Sequence, residues 1–567
     1  MRVFARLVLI CLVGMFAAEP ASAGWQVWTS AATERVLRET PAQGGVAVRL
    51  HAACNEWEGF QVLMRSDVPV RGIRLEPADL VGPGGATLPA STARLYRAHQ
   101  FLLDTPSACN DAFRPGWYPD ALIPFVHPLT GKPLTGGRLV AVPFDLPRDQ
   151  THGFWVDLYV PPNARPGQYT GVYRLTAAGG AEALIPVTLT VWDFCLPRVL
   201  TLQTAMGAPA MRMRTYYQQR AQQGKEPEPA DWEAIETQCA AMVSEHHINA
   251  VPPAGSLQPE AQPDGSFRIP EAQILAFRRF VDQYQVNLFQ TPVPYKVVRD
   301  PEAEKDKLYR WLASWDRAAA ELDRPQVVFY TYLMDEPKDA EDYRFVQKWG
   351  RVIREAHSVV KVLVVEQTWP QKWAWGNLYG AVDIWCPQFP LFKPESAAAR
   401  QALGETIWAY TAMTRREPIP WWETDFPLLN YRVPAWIAWR YRIRGLLYWG
   451  GMSFWNGVED PWTDPKTLDR RSRRKDLLYN GDGVLVYPGR AVGYDGIAPS
   501  LRLKALRDSI EDYEYLMILQ RAGLAAEADG IVRRVANSFS QWSPDPTAYQ
   551  AARVRLAEAI LKAGAGK

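Results

Sequence analysis

Little in this chain points to metal, redox or nucleic-acid chemistry. Histidine is scarce, 7 in 567 residues, and only His246 and His247 lie close together. Adjacent residues do not share a helix face, so that pair makes a poor metal site. The 6 cysteines include no CxxC pair and are spread too widely for a zinc knuckle. The net charge is only +2, which supplies no general field for nucleic acid or an anionic membrane. Beyond the N-terminus no apolar run is long enough to cross a bilayer, so stable membrane insertion is not expected. With 47% hydrophobic and 22% charged residues the chain is not disordered, and its length calls for two or three domains.

The one greasy run is at the start. Arg2 and Arg6 precede an apolar stretch, Leu7 to Ala18, and Ala21-Ser22-Ala23 offers a small-residue cleavage site before Gly24. Residues 1–23 therefore read as a secretory signal cleaved after Ala23, and the mature protein as periplasmic or secreted. Cys11 follows Ile10, which does not suit lipid attachment. Five cysteines then remain, Cys54, Cys109, Cys195, Cys239 and Cys386. Export permits disulfides, with Cys54–Cys109 the candidate bridge and buried free thiols the plainer reading.

Two patterns divide the rest. Over residues 24–199, short alternating runs such as Gly59 to Met64, Phe154 to Val160, Gly167 to Leu175 and Val187 to Trp192 are broken by Gly and Pro, which predicts a β-sandwich. Over residues 200–465, strand-like runs alternate with helical ones. Helices are expected at Ala230–His246, Ala272–Tyr284 and Lys307–Leu322, then on the stripe Phe345, Trp349, Val352, Ile353. Strands are expected at Ile248–Val251, Val286–Val293, Val359–Val365, Val382–Cys386, Thr406–Tyr410 and Gly445–Trp449. Such repetition predicts a (β/α)8 barrel. Residues 466–567 hold a basic loop at Arg470 to Lys475, a short strand at Val484–Tyr487, and helices at Pro499–Gln520 and Tyr549–Leu561, expected to pack on the barrel. The basic loop reads as a solvated surface.

Tryptophan is abundant: 23 residues, of which twelve lie between Trp369 and Trp462. Indoles stack on sugar faces and also fill cores, so their number does not choose between the two. The sharper signal is QVVFYTYLM, Gln326 to Met334, followed by Asp335-Glu336-Pro337. Acids at the tip of a buried strand are costly, and strand tips are where barrel enzymes keep their chemistry. A helix start would explain the same dipeptide, since acids favour the helix N-terminus and Pro suits its first turn. Paired carboxyls can cleave glycosidic bonds, but opposed acids flank the bond, which neighbours do poorly. Neighbours suit a substrate-assisted route, where the sugar's 2-acetamido oxygen attacks C1. Asp335 would then stabilise the acetamido group and Glu336 would act as acid and base.

The string YLMDEP is similar to the catalytic motif of glycoside hydrolase family 123 and its wider relatives. HAACNEWEGFQ (51–61), PPNARPGQYTG (161–171), GDGVLVYPG (481–489) and PSLRLKALRDSIEDYEYL (499–516) resemble further segments of that group, in order along nearly the whole mature chain. The resemblance implies a retaining β-N-acetylgalactosaminidase acting on a glycan with a terminal N-acetylhexosamine, with no metal or organic cofactor. Asp335 and Glu336 would carry the catalysis. Tyr332, Trp369, Tyr448, Trp449, Trp455 and Asn456, near predicted strand ends, are expected to bind substrate, with Asp460 a further hydroxyl ligand or loop cap. Glu511, Asp512 and Glu514 have no evident chemical role and read as helix-surface or interdomain ion-pair groups. Two alternatives stand beside this. One is a glycosidase of other specificity pairing Glu336 with a distant Glu366 or Glu423, and the other is a glycan-binding protein without catalysis.

Overall fold

The computed structural model describes residues 24–413, 417–455, 457–468 and 477–564. The expected signal, Asn456 and the Arg470–Lys475 loop lie outside the described residues.

The N-terminal region is two sheets on one core. The first runs in the order Trp25–Ala31, Glu56–Ser66, His152–Val160, Ala93–Leu103, Gly116–Pro124, with antiparallel neighbours throughout. The second centres on Val48–Cys54, Glu182–Cys195, Gly167–Thr176, Val70–Glu76 and Phe144–Leu146. Alternate residues Phe60, Val62, Met64 and Phe154, Val156, Leu158 face Tyr173, Leu175, Ile185 and Leu189 of the second sheet, as period-two side chains should. The intervening Trp155 and Asp157 point the other way, into the core shared with the C-terminal helices. Expected as a simple alternating strand, 154–160 is instead buried on both faces along nearly its whole length.

Cys54 stands opposite Cys195 in the parallel pairing of Val48–Cys54 with Glu182–Cys195. Their thiols donate to the Ala164 and Pro162 carbonyls, each at 3.4 Å. Cys109 is exposed elsewhere, and all five described cysteines are free. The Cys54–Cys109 bridge is therefore absent; the parallel register brings Cys195, not Cys109, to Cys54.

Then comes a curled parallel sheet, in the order Gln203–Ala205, Gly445–Tyr448, Thr406–Thr411, Ile384–Trp385, Lys361–Val365, Val328–Asp335, Leu288–Thr291. It is a nearly closed barrel of seven strands, not the complete (β/α)8 barrel expected. At the eighth place, residues 248–251 are not a strand. There the Asn249 side chain stands in for a ladder: Oδ1 accepts the Asn287 and Leu288 N–H groups at 3.1 and 3.2 Å, and Nδ2 donates to the Leu288 carbonyl at 3.0 Å. On its other side the Asn249 N–H donates to Thr204 Oγ1 at 2.8 Å. Side-chain bonds thus satisfy backbone groups that a strand would have paired. Helices Lys305–Leu322, Ala340–Glu355, Pro394–Gln401 and Leu429–Arg440 follow their strands, but after Lys361–Val365 there is only the short 3-10 turn Trp373–Trp375.

Except at the end of strand Val328–Asp335, barrel side chains alternate. Leu288, Tyr330, Leu363, Val365, Ile384, Cys386, Trp408, Tyr410 and Leu447 form an interior cluster, while Phe329, Val364, Ile407 and Leu446 face the helices. Gly445 is required by this interior: a Cβ there would sit 2.6 Å from the Trp408 indole.

The C-terminal segment does more than pack on the outside. Helix Leu501–Arg521, capped by Ser500, is buried along all but its last two residues. It lies between the two-sheet region and helix Leu429–Arg440, and most of its charges are paired across the junction, while Asp508 is paired with Arg507 of the same helix. Arg502 bonds Asp120 at 2.9 Å, Lys504 and Arg507 bond Asp157 at 2.6 and 2.8 Å, and Asp512 receives Arg432 at 2.6 Å. Glu511 accepts the Trp57 N–H at 3.0 Å, and Glu514 the Thr201 N–H at 2.8 Å. Of the two roles expected for Glu511, Asp512 and Glu514, the structure removes the surface one. Buried charge survives here because every one of these groups has a partner.

Candidate active site

The acid pair closes strand Val328–Asp335 at the C-terminal end of the barrel. Simple alternation would turn Asp335 outward, since Val328, Tyr330 and Tyr332 are the interior residues. The register prevents that. Tyr332 pairs with Leu363, Met334 with Val364 and Asp335 with Val365, leaving Leu333 as an extra residue. This bulge shifts the phase by one, so Asp335 comes level with interior Val365, on the same side as Tyr332. The Tyr332 hydroxyl accordingly donates to Asp335 Oδ1 at 2.9 Å.

Glu336 then takes φ +42, left-handed backbone that a side chain rarely adopts. Such a conformation costs about 1–3 kcal/mol and persists only when its surroundings hold it. Its N–H donates to the Val365 carbonyl at 3.1 Å, and the hydroxyl of interior Tyr410 donates to Glu336 Oε1. Bulge and left-handed turn together aim two sequence neighbours at one mouth. Burial, then the charge of the acid it serves, pushes each tyrosine well above the ordinary phenol value, so both stay donors.

A third carboxyl stands beside them. Glu366 follows strand Lys361–Val365, is buried, and accepts the Gln367 N–H at 3.0 Å. Burial pushes its carboxyl up to about 7, and the nearby Glu336 charge adds to the rise. Next to it Gln367 Nε2 is buried without a protein partner, as is Oε1 of Gln388, whose Nε2 donates to the Ala412 carbonyl at 2.5 Å. On the far side of the barrel, Asp482 is buried between strand ends; burial raises its carboxyl to about 6 although four donors counter it. Among the described residues no three His, Cys, Asp or Glu side chains cluster as a metal set would.

The other expected residues scatter. Trp449 is half-buried, follows strand Gly445–Tyr448 at the barrel mouth, packs with Phe454 against the large core outside the barrel interior, and donates its Nε1–H to Asp482 Oδ1 at 3.0 Å. Tyr448 is buried and turned outward, with its hydroxyl on Asp482 and the Gly483 N–H. Trp369 has the Lys393 ammonium 3.7 Å over its ring, with its Nε1–H on the Leu391 carbonyl. Trp455 is 1% exposed, packs edge-on against Tyr216 and donates to the Val486 carbonyl. It is a core residue and offers no face to a sugar. Asp460 is engaged by Arg138 at 2.6 Å. Glu423 is buried, and its charge acts on Tyr431 and Tyr448. Tyr410 was not among the expected residues, though its inward phase with Trp408 in TIWAYT was a usable signal. Asp482 lies in the segment GDGVLVYPG, whose resemblance was noted without a role for the acid, and Gln388 carried no signal.

Against known proteins, the acid pair falls inside a recognised domain. Residues 325–519 match the glycoside hydrolase 123 catalytic domain. The resemblance carried by YLMDEP therefore holds over five of the seven barrel strands and the buried helix, and supports a glycoside hydrolase. A solved family 123 glycoside hydrolase from Clostridium perfringens shares the fold, with TM-score 0.64 at 12% identity over 95% of this chain and 98% of that one. A family 39 glycoside hydrolase from Bacteroides cellulosilyticus WH2 aligns at TM-score 0.31 and 8% identity, covering 84% and 82% of the two chains. No curated protein matches the sequence.

Proposed function

We propose that this chain is an exported retaining glycosidase that removes terminal β-linked N-acetylgalactosamine with help from the sugar's own acetamido group. The observation that carries the reading is the joint effect of the bulge at Leu333 and the left-handed Glu336: adjacent carboxyls share one mouth, each held by an inward tyrosine. Opposed acids would have to sit on two sides of the scissile bond. Here the nucleophile comes from the substrate. The acetamido oxygen attacks C1 while Glu336 gives its proton to the departing oxygen, breaking the glycosidic bond. The Asp335 carboxylate accepts the acetamido N–H and balances the positive charge of the oxazolinium. Glu336, now a base, takes a proton from water as it attacks C1, the ring opens, and the β configuration is restored. Trp449 is the sugar platform in this reading, and the unpartnered amide atoms of Gln367 and Gln388 suit sugar hydroxyls.

A second reading pairs Glu336 with Glu366, favoured by the burial of Glu366 beside it. Their strands are neighbours, however, about 4.8 Å apart. That puts both carboxyls on the same side of the mouth, not on two sides of a sugar.

The experiment is inhibition by a thiazoline that mimics the oxazoline, together with Asp335→Asn. Tight inhibition and a fall in kcat of about 10²-fold or more are expected. A parent enzyme indifferent to saturating thiazoline would rule out acetamido participation.

A further inference from the structure

The turn Gly481-Asp482-Gly483 reaches the barrel mouth from the C-terminal segment and takes no part in the steps above. Both glycines are left-handed at φ +75, and a Cβ on Gly483 would lie 3.2 Å from the Trp449 ring. The turn passes against the indole only because it carries no side chain there. Asp482 itself is 1% exposed. Its Oδ1 accepts the Trp449 Nε1–H at 3.0 Å and the Tyr448 hydroxyl at 3.3 Å, and Oδ2 accepts the Met413 N–H at 2.9 Å. The turn is in turn fastened by the Gly483 N–H on Tyr448 at 2.6 Å and the Thr467 hydroxyl on the Asp482 carbonyl at 2.6 Å. One carboxylate thus ties the residues after two neighbouring strands, Thr406–Thr411 and Gly445–Tyr448. The first of these carries Tyr410, which holds Glu336. The second leads into Trp449, backed by Phe454 at 4.7 Å between ring centres and left partly open.

We propose that Asp482 is a positioning residue that fixes the Trp449 indole, across the barrel mouth from Glu336, as the platform for the N-acetylhexosamine ring. The inference rests on the substrate reading above. Past the end of its strand the indole has no ladder to set its orientation, and a hydrogen bond to a carboxylate is among the stronger and more directional ones. A platform held in one rotamer binds without the cost of ordering it.

The test is a double-mutant cycle in the full chain, read as KM and kcat on a chromogenic β-N-acetylgalactosaminide, with thermal unfolding recorded for each variant. Asp482→Ala should raise KM about tenfold with kcat within about threefold, Trp449→Phe should do the same, and the double variant should be no worse than Trp449→Phe alone. Asp482→Asn keeps an oxygen for the indole and loses the Met413 tie, so its KM should stay within about threefold of the parent; this variant decides if Asp482→Ala does not fold. Additive effects, a fall in kcat at constant KM, or an Asp482→Asn KM equal to that of Trp449→Phe would overturn the inference alone. A parent enzyme that turns over no N-acetylhexosaminide would overturn the substrate reading and this inference with it.

Discussion

Asp157 and Asp335 are both strand aspartates, yet one is sealed between two regions of the molecule and the other opens on the barrel mouth. Asp157 is wholly buried and meets Lys504 at 2.6 Å and Arg507 twice at 2.8 Å. Burial alone would raise its carboxyl, but those two cations hold it well below the usual carboxylate range. Asp335 is exposed and has one phenol on one oxygen. The difference separates charge used as a fastener from charge kept available. A carboxylate engaged by two cations and the Trp155 indole N–H has little left to offer a substrate. One held by a single neutral donor is oriented and still free to bind or move a proton.

The contrast breaks most sharply on the acids themselves. Glu336→Gln should lower kcat by about 10²–10⁴-fold while leaving the unfolding midpoint within about a degree or two, because the left-handed turn keeps its backbone bond. Asp157→Asn should do the reverse. It leaves Lys504 and Arg507 buried beside a neutral amide, and chemical denaturation should report a loss of about 3–5 kcal/mol, with kcat per folded molecule unchanged. The sign with pH follows: Asp157 titrates lower folded than unfolded, so its contribution is full above about pH 4 and is lost as pH falls further. Glu336→Gln that unfolds the protein, or Asp157→Asn that leaves stability intact, would erase the distinction.

A smaller effect is expected at Glu366, which shares features with both sites: buried like Asp157, yet facing a carboxylate and not a cation. Its carboxyl titrates near 7, above its value in the unfolded chain, so the native state holds that proton more tightly. Stability should therefore decline as pH rises from about 5 towards 7, and Glu366→Gln should flatten the decline. The same variant should remove a step near pH 7 from the pH–rate profile while changing kcat only severalfold. A step that persists in the variant belongs to another group.

The acid pair was legible from sequence because an apolar strand ending in two acids and a proline breaks a rule of burial. How the pair points was not. The bulge at Leu333 exists only relative to the partner strand Lys361–Val365, and the donor for Glu336 comes from Tyr410, far along the chain. Most of the expected barrel strands and helices lie where the period placed them, and the C-terminal helix expected at Pro499–Gln520 runs Leu501–Arg521. For its acids the sequence left surface and interdomain ion-pair roles open, since charges on all sides look like a surface until Asp120, Asp157 and Arg432 arrive from distant segments. Residues 248–251 read as a strand on their apolar content, yet the Asn249 amide makes the bonds that a strand would have made. Trp455 illustrates the limit of counting indoles: density near the mouth did not distinguish a platform from core.

The most direct test of the central claim compares matched chromogenic β-glycosides that differ only in the 2-acetamido group. Turnover confined to the N-acetylgalactosaminide, and lost in Asp335→Asn, is the predicted result; equal rates on the acetamido sugar and its 2-hydroxyl counterpart would contradict it.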